Sequence, residues 1–314
     1  MSLWQKTMIR LALSERVRGR MQGNVFASGL STRFIGGTDA GTAVQRAAEL
    51  NSRGFGTSLY YLGEYVDSPR LIEENVTEII KVANILGRAG EVHVSVDSSQ
   101  VGYTVDDAAG DQNILRIGRA VAGMPGPGKK MLMLDMEDFS YVQKTIDIYY
   151  RARREGIPAA LTLQAYLRRS ESDIRQLIER GGAVRLVKGA FVESKERAWA
   201  TKGQIRGNYL HLAKLLLSEG AESAYPSFGT HDNKLIEEIK KAARMYSRGA
   251  NSFEFEMLYG VRPELQRQLL DQGYRVRTYM PFGTQWWPYT IRRVGESPAV
   301  LRLVLRALIA RSIS

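Results

Sequence analysis

Tyr274-Arg-Val-Arg-Thr-Tyr279-Met-Pro281-Phe-Gly283-Thr-Gln-Trp286-Trp287-Pro288-Tyr289-Thr-Ile-Arg292-Arg293-Val-Gly-Glu296 reads as a strand running into a helix. The run Tyr274 to Phe282 alternates and is rich in β-formers, whereas Pro288 suits a first helical turn, where its missing N–H costs nothing. On that helix Tyr289, Arg292, Arg293 and Glu296 fall at i, i+3, i+4 and i+7, which is one face. Two adjacent guanidiniums can grip one carboxylate in planar, bidentate fashion, a task that suits Lys poorly. A solvated Arg–Glu face is the plain alternative, but its position directly after a strand end favours a site.

Seven further short apolar or alternating runs precede it: Gly56–Leu62, Val92–Asp97, Lys130–Met136, Ala159–Tyr166, Ala183–Ala190, Ala224–His231 and Asn251–Leu258. Segments of helical period lie between them, such as Pro69–Ile80 and Lys234–Ala242. Eight such alternations predict an α/β fold, a (β/α)8 TIM-type barrel over residues 51–314. An open doubly wound sheet would want a G-x-G-x-x-G turn, and none is present. Residues 1–50 stand apart as a helical flank. An amphipathic, Arg-rich helix is expected over Leu3–Met21, then a Gly/Ser/Thr-rich link from Ser28 to Thr42 and a second helix over Ala43–Asn51.

At 314 residues, 44% hydrophobic and 25% charged, the chain has the make-up of an ordinary globular protein. It has no cysteine, which excludes disulfides, thiol nucleophiles and Cys-based metal sites. No signal-like or membrane-spanning apolar run appears, so a cytoplasmic protein is expected. The net charge of +11 suits anionic partners, but no dense basic stripe supports nucleic-acid binding. With only His93, His211 and His231, a multi-histidine metal site is not expected.

Barrel enzymes place their chemistry at strand C-termini. Those positions here carry Glu64, Asp97, Asp135 with Glu137, Gln164, Arg185 with Lys188, Thr230 with His231, Glu254 with Glu256, and Tyr279. A structural barrel has no need of so many. Asp135 and Glu137 would share a strand face, either as an acid/base or metal pair or as one Arg-satisfied acid beside a solvated one. Arg185, Lys188 and Gly189 could face an anionic cofactor or form plain ion pairs. Gly229-Thr230-His231-Asp232 ends a strand before a helix near Lys234, where backbone N–H groups favour phosphate. His93, at the start of its strand, reads as structural. Trp286 and Trp287 either stack on a flat cofactor or close the barrel mouth. The Leu301–Leu308 stripe, flanked by Arg302 and Arg306, is a packed terminal helix or a peripheral membrane contact.

These segments together resemble the flavin-dependent proline dehydrogenase family, from about Phe34 to Ala310. The motifs that carry the likeness are Leu134–Asp138, Leu163–Tyr166, Arg185–Phe191, Thr230-His231, Phe253–Gly260 and Tyr279…Tyr289…Arg292-Arg293…Glu296. The resemblance implies a distorted barrel with FAD at its mouth and the helix over Pro288–Gly295 above the flavin. FAD would be held by Gln164, Arg185, Lys188, Gly189, Ala190, Thr230, His231 and Glu296. Arg292 and Arg293 would hold the carboxylate of a small amino acid, with Leu186, Tyr279 and Tyr289 packing around its ring. Hydride would pass to flavin N5, and a membrane quinone would reoxidise the flavin. No metal is implied.

Two departures mark this chain. Aligned on Gln100-Val-Gly102, Asp97 stands where the family usually carries a Lys that pairs with the acid at Asp135. Phe191 stands where many relatives carry Tyr. Asp97 therefore opens the alternative of a different cyclic or secondary amino acid as substrate. A non-catalytic flavin-binding barrel and a flavin-free lyase using Lys188 as a Schiff base are the remoter readings.

Overall fold

The computed structural model describes residues 33–85, 90–124, 129–287, 289 and 290. Arg292, Arg293, Glu296, the Leu3–Met21 segment and the Leu301–Leu308 stripe lie outside the described residues.

Helix α1 (Ala40–Ser52) leads into strand β1 (Gly56–Tyr61), and β/α pairs follow. They are α2 (Pro69–Ile85), β2 (Val92–Val96), α3 (Asp107–Ala122), β3 (Lys130–Leu134), α4 (Phe139–Arg154), β4 (Ala159–Gln164) and α5 (Ser170–Arg180). Then come β5 (Gly182–Val187), α6 (Lys202–Ser218), β6 (Ala224–Gly229), α7 (Asn233–Met245), β7 (Glu254–Leu258), α8 (Pro263–Asp271) and β8 (Arg275–Phe282). All eight strands are parallel, and β8 returns to β1 through Gly56↔Arg277 to Tyr61↔Phe282, closing the barrel. The expected (β/α)8 architecture is therefore present.

Most of the strands end earlier than their apolar runs. Asp97, Asp135 and the residues after Gln164, Val187 and Gly229 leave the ladder because the chain must turn towards the next helix there. Helix α1 begins three residues before the expected Ala43, because Asp39 accepts from the Thr42 N–H at 2.9 Å and starts the helix at once. The flank is stitched to the barrel: Gly36 N–H donates to the Pro281 carbonyl (2.8 Å) and Gly283 N–H to that of Gly37 (3.0 Å).

Apolar side chains such as Val94, Leu132, Leu161, Leu186 and Phe228 form the core with the amphipathic helices. Inward positions are polar instead. Near the N-terminal end, Arg277 donates to Glu254 at 2.6 Å and to the Thr57 carbonyl at 2.8 Å. His93 is buried in the same region; burial first, then Arg277 and Arg185, holds its imidazole well below the usual range and so neutral. That agrees with the structural reading of this histidine. Among the described residues no helix is long and apolar enough to cross a membrane.

Candidate active site

Strand alternation aims Ser58 and Tyr60 of β1, Ser95 of β2, Arg185 of β5 and Tyr279 of β8 at the barrel axis. Arg185 is their hub. Its Nε and Nη2 grip both oxygens of Glu256 at 2.7 and 2.6 Å. Nη1 donates to Asp135, and Nη2 reaches Ser58 and Ser95 at 3.2 and 3.3 Å. Every guanidinium nitrogen is thus committed inside a site that leaves Arg185 only 4% exposed. Burial lifts the Glu256 carboxyl, but the bidentate Arg185 outweighs it and holds the group below its ordinary value, as a carboxylate.

Asp135 and Glu137 part company. Asp135 turns inward, accepting from Arg185 and from the Tyr279 hydroxyl at 2.9 Å. Glu137 accepts from the Ser99 N–H at 2.7 Å and from its hydroxyl. The expected shared strand face is not formed, because β3 ends at Leu134 and the chain bends between the two acids. Burial raises both carboxyls against these donors, Glu137 to about 7.

Asp97 lies at the end of β2 and accepts from Tyr60 at 2.5 Å. The Tyr60 ring stacks on Tyr279, with centroids 5.7 Å apart. Burial, then Glu137, Asp135 and Glu64, pushes the Asp97 carboxyl well above the usual carboxylate range. Asp97, Asp135, Arg185, Glu256, His231 and Tyr279 all line one cavity of about 320 Å3 at the barrel mouth. Leu186 does not line it. Because Arg185 faces inward, the next side chain on the strand faces the helices, and Leu186 is fully buried in the apolar core.

The rim is built by the loops after β4, β5 and β6. Gln164 donates to the Met136 carbonyl at 3.0 Å, while its Oε1 is buried with no hydrogen-bond partner among the described residues. Gly189 adopts φ +95°, and a Cβ there would lie 2.0 Å from the Tyr166 ring, so only glycine fits. Ala190 beside it is exposed. Lys188 and Arg206 both reach Asp232, at 3.0 and 2.5 Å. Asp232 also caps α7 by accepting from the Lys234 N–H at 3.1 Å, so a side chain already occupies the helix start expected to bind phosphate. Its N–H donates to Thr230 Oγ1 at 3.1 Å. His231 Nε2 accepts from the Leu258 N–H at 2.9 Å, which places the ring proton on Nδ1. Arg262 donates to the His231 carbonyl at 2.7 Å.

Tyr289 is buried, and Trp286 and Trp287 pack edge to face, 5.9 Å apart, which favours closure of the mouth over an open stacking platform. Sequence reasoning missed Tyr60, Arg206 and Arg262. Tyr60 was within reach, since it shares the alternation of Ser58. The other two lie on helix α6 and before α8, where no strand-end signal points to them.

A closed (β/α)8 barrel with a charged cavity at its strand C-termini has the architecture of a barrel enzyme. The proline dehydrogenase family profile matches residues 43–304, and the chain belongs to that family. Proline dehydrogenase 2 of Bacillus subtilis (strain 168) is 33% identical over 277 residues, covering 88% of this chain and 89% of that one. The proline dehydrogenase of Deinococcus radiodurans is 33% identical over 283 residues, covering 89% and 90%. Among solved structures, proline utilization A from Bdellovibrio bacteriovorus inactivated by N-propargylglycine superposes with a TM-score of 0.79 at 22% identity. That likeness covers 93% of this chain but 36% of the other, and it supports the fold.

Proposed function

We propose that the protein oxidises L-proline to 1-pyrroline-5-carboxylate with FAD as cofactor and a quinone as the final electron acceptor. The observation that carries this reading is the cavity at the strand C-termini, where Arg185, Asp135 and Tyr279 converge in a chain of this family. The residues fit the cofactor. The orphaned Gln164 Oε1 seeks an N–H donor, Gly189 lets the backbone approach closely, and Lys188 and Arg206 together exceed the single charge of Asp232, which leaves positive charge for an anionic group. FAD would be held by Gln164, Lys188, Gly189, Ala190, Thr230, His231 and Glu296, while Arg185, its donors committed to Glu256 and Asp135, would supply positive charge beneath it. Bound FAD supplies the hydride acceptor, its N5.

The protein's part is positioning and electrostatics. Arg292 and Arg293 hold the substrate carboxylate. Tyr279, itself fixed by Asp135, and Tyr289 pack against the ring. Asp135 and Glu256 keep Arg185 rigid, and the buried tryptophan pair helps exclude water. A peripheral membrane contact through the C-terminal stripe would bring the quinone to the site.

The test is the visible spectrum of the purified protein before and after anaerobic L-proline. A flavin spectrum that bleaches supports the reading; a colourless protein overturns it. The buried Asp97 favours a second reading, in which the substrate is another cyclic or secondary amino acid.

A further inference from the structure

Two Tyr–Asp pairs stand side by side in the mouth, and their charge balance differs. Tyr279 donates to Asp135, which Arg185 neutralises. Tyr60 donates to Asp97 Oδ2, and no cation among the described residues comes within ion-pair distance of it. Arg185, the cation of the cavity lining, is already spent on Glu256 and Asp135. Asp97 is nine-tenths buried, its Oδ1 accepts from no donor among the described residues, and it lines the cavity. Ionising this buried acid without a counter-ion is unfavourable, and a ligand that brings its own cation makes the carboxylate form favourable.

We propose that Asp97 selects the substrate: the site prefers a cyclic secondary amino acid carrying a second ammonium group, received at Asp97 Oδ1, over L-proline. The preference rests on the amine-oxidising reading above. Among the described residues the groups facing Asp97 are Tyr60 of β1, Glu64 after it, Asp135 and Glu137 after β3, and Tyr279 of β8, all anionic or neutral. In the free site they hold Asp97 towards its protonated form, so an ammonium ligand expels a proton as it binds.

The experiment titrates L-proline and the cis and trans isomers of 4-amino-L-proline into the purified protein by calorimetry, in buffers of different ionisation heat. Anaerobic bleaching of the flavin is followed in parallel. The expected result is that one amino isomer binds at least about tenfold tighter than proline, with net proton release that proline does not show. Asp97→Asn should bring the ratio near one and abolish the proton release. Tyr60→Phe, which leaves Asp97 without its phenol, should raise the ratio. Proline as the tighter ligand, or one ratio shared by the wild type and both variants, overturns the proposal. Asp97-dependent binding with no bleaching by any amine would keep the selectivity and sink the amine-oxidising reading instead.

Discussion

Among the described residues the barrel holds two buried arginines, one at each end, and they behave differently. At the N-terminal end Arg277 meets Glu254, with the Thr57 carbonyl completing its donors. At the mouth Arg185 meets Glu256 and Asp135, with Asp97 and Glu137 close by and a cavity opening beside them. The first arrangement is charge-matched, Arg277 and Arg275 facing Glu254 and Glu91, beside a second cavity of about 430 Å3. In the second, carboxylates outnumber cations among the described residues that surround the open volume. Burial and polarity alone therefore do not mark a functional site; unbalanced charge beside a cavity does.

The largest test of that contrast is Arg185→Met. It strands Glu256 and Asp135 without a counter-ion, and breaking a buried pair in this way costs about 3–5 kcal/mol. Urea unfolding should report that loss, and amine-driven bleaching should vanish as the site loses its hub. Stability within about 1 kcal/mol of wild type would mean that the mouth acids ionise independently of Arg185.

Next comes the pH dependence at the mouth. Burial pushes Glu137 from 4.5 up to about 7. The folded state thus binds this proton more tightly than the unfolded chain. Its contribution is complete below pH 4.5 and is lost as pH rises through about 7, on the order of 3 kcal/mol in all. Asp97 and Asp135 are shifted in the same direction. Unfolding free energy should accordingly fall between pH 5 and 8, with a shallower slope in Glu137→Gln. An identical slope in that variant would remove Glu137 as its source.

Tyr279→Phe is smaller again. It deletes one donor to Asp135, worth about 1–2 kcal/mol, because the acid keeps Arg185 and also accepts from Thr162 at 3.2 Å. Reduction by the amine should slow while flavin content stays constant. Loss of flavin instead would place the hydroxyl in cofactor binding.

The same contrast explains what could be read from the chain. The barrel was legible because eight β-rich runs alternate with amphipathic helices, and Asp135, Arg185 and Tyr279 were legible because strand ends carry chemistry. The separation of Asp135 from Glu137 was not, since it depends on where β3 stops, which the turn and not the apolar run decides. Leu186 was misplaced for a related reason: its neighbour Arg185 faces inward, so Leu186 must face the helices. Arg206 and Arg262 come from elements whose own sequence gives no hint of the mouth. Asp97 was legible as a departure, whereas the phenol that holds it was not.

The smallest expected effect lies at the other end of the barrel. Replacing both Arg277 and Glu254 with methionine removes a matched pair of opposite charges together, so neither is left uncompensated. Such exchanges are often neutral, and a change within about 2 kcal/mol is expected once the orphaned Thr57 carbonyl is included. Glu91 keeps Arg275 as a partner, which limits the damage at the rim. The flavin spectrum and the rate of amine-driven bleaching should match wild type, since neither residue lines the mouth cavity. The corresponding Arg185→Met/Glu256→Met double variant should not be rescued, because Asp135 remains stranded. If the two doubles prove equally mild, charge balance is not what separates the two ends of this barrel, and the mouth must owe its chemistry to shape alone.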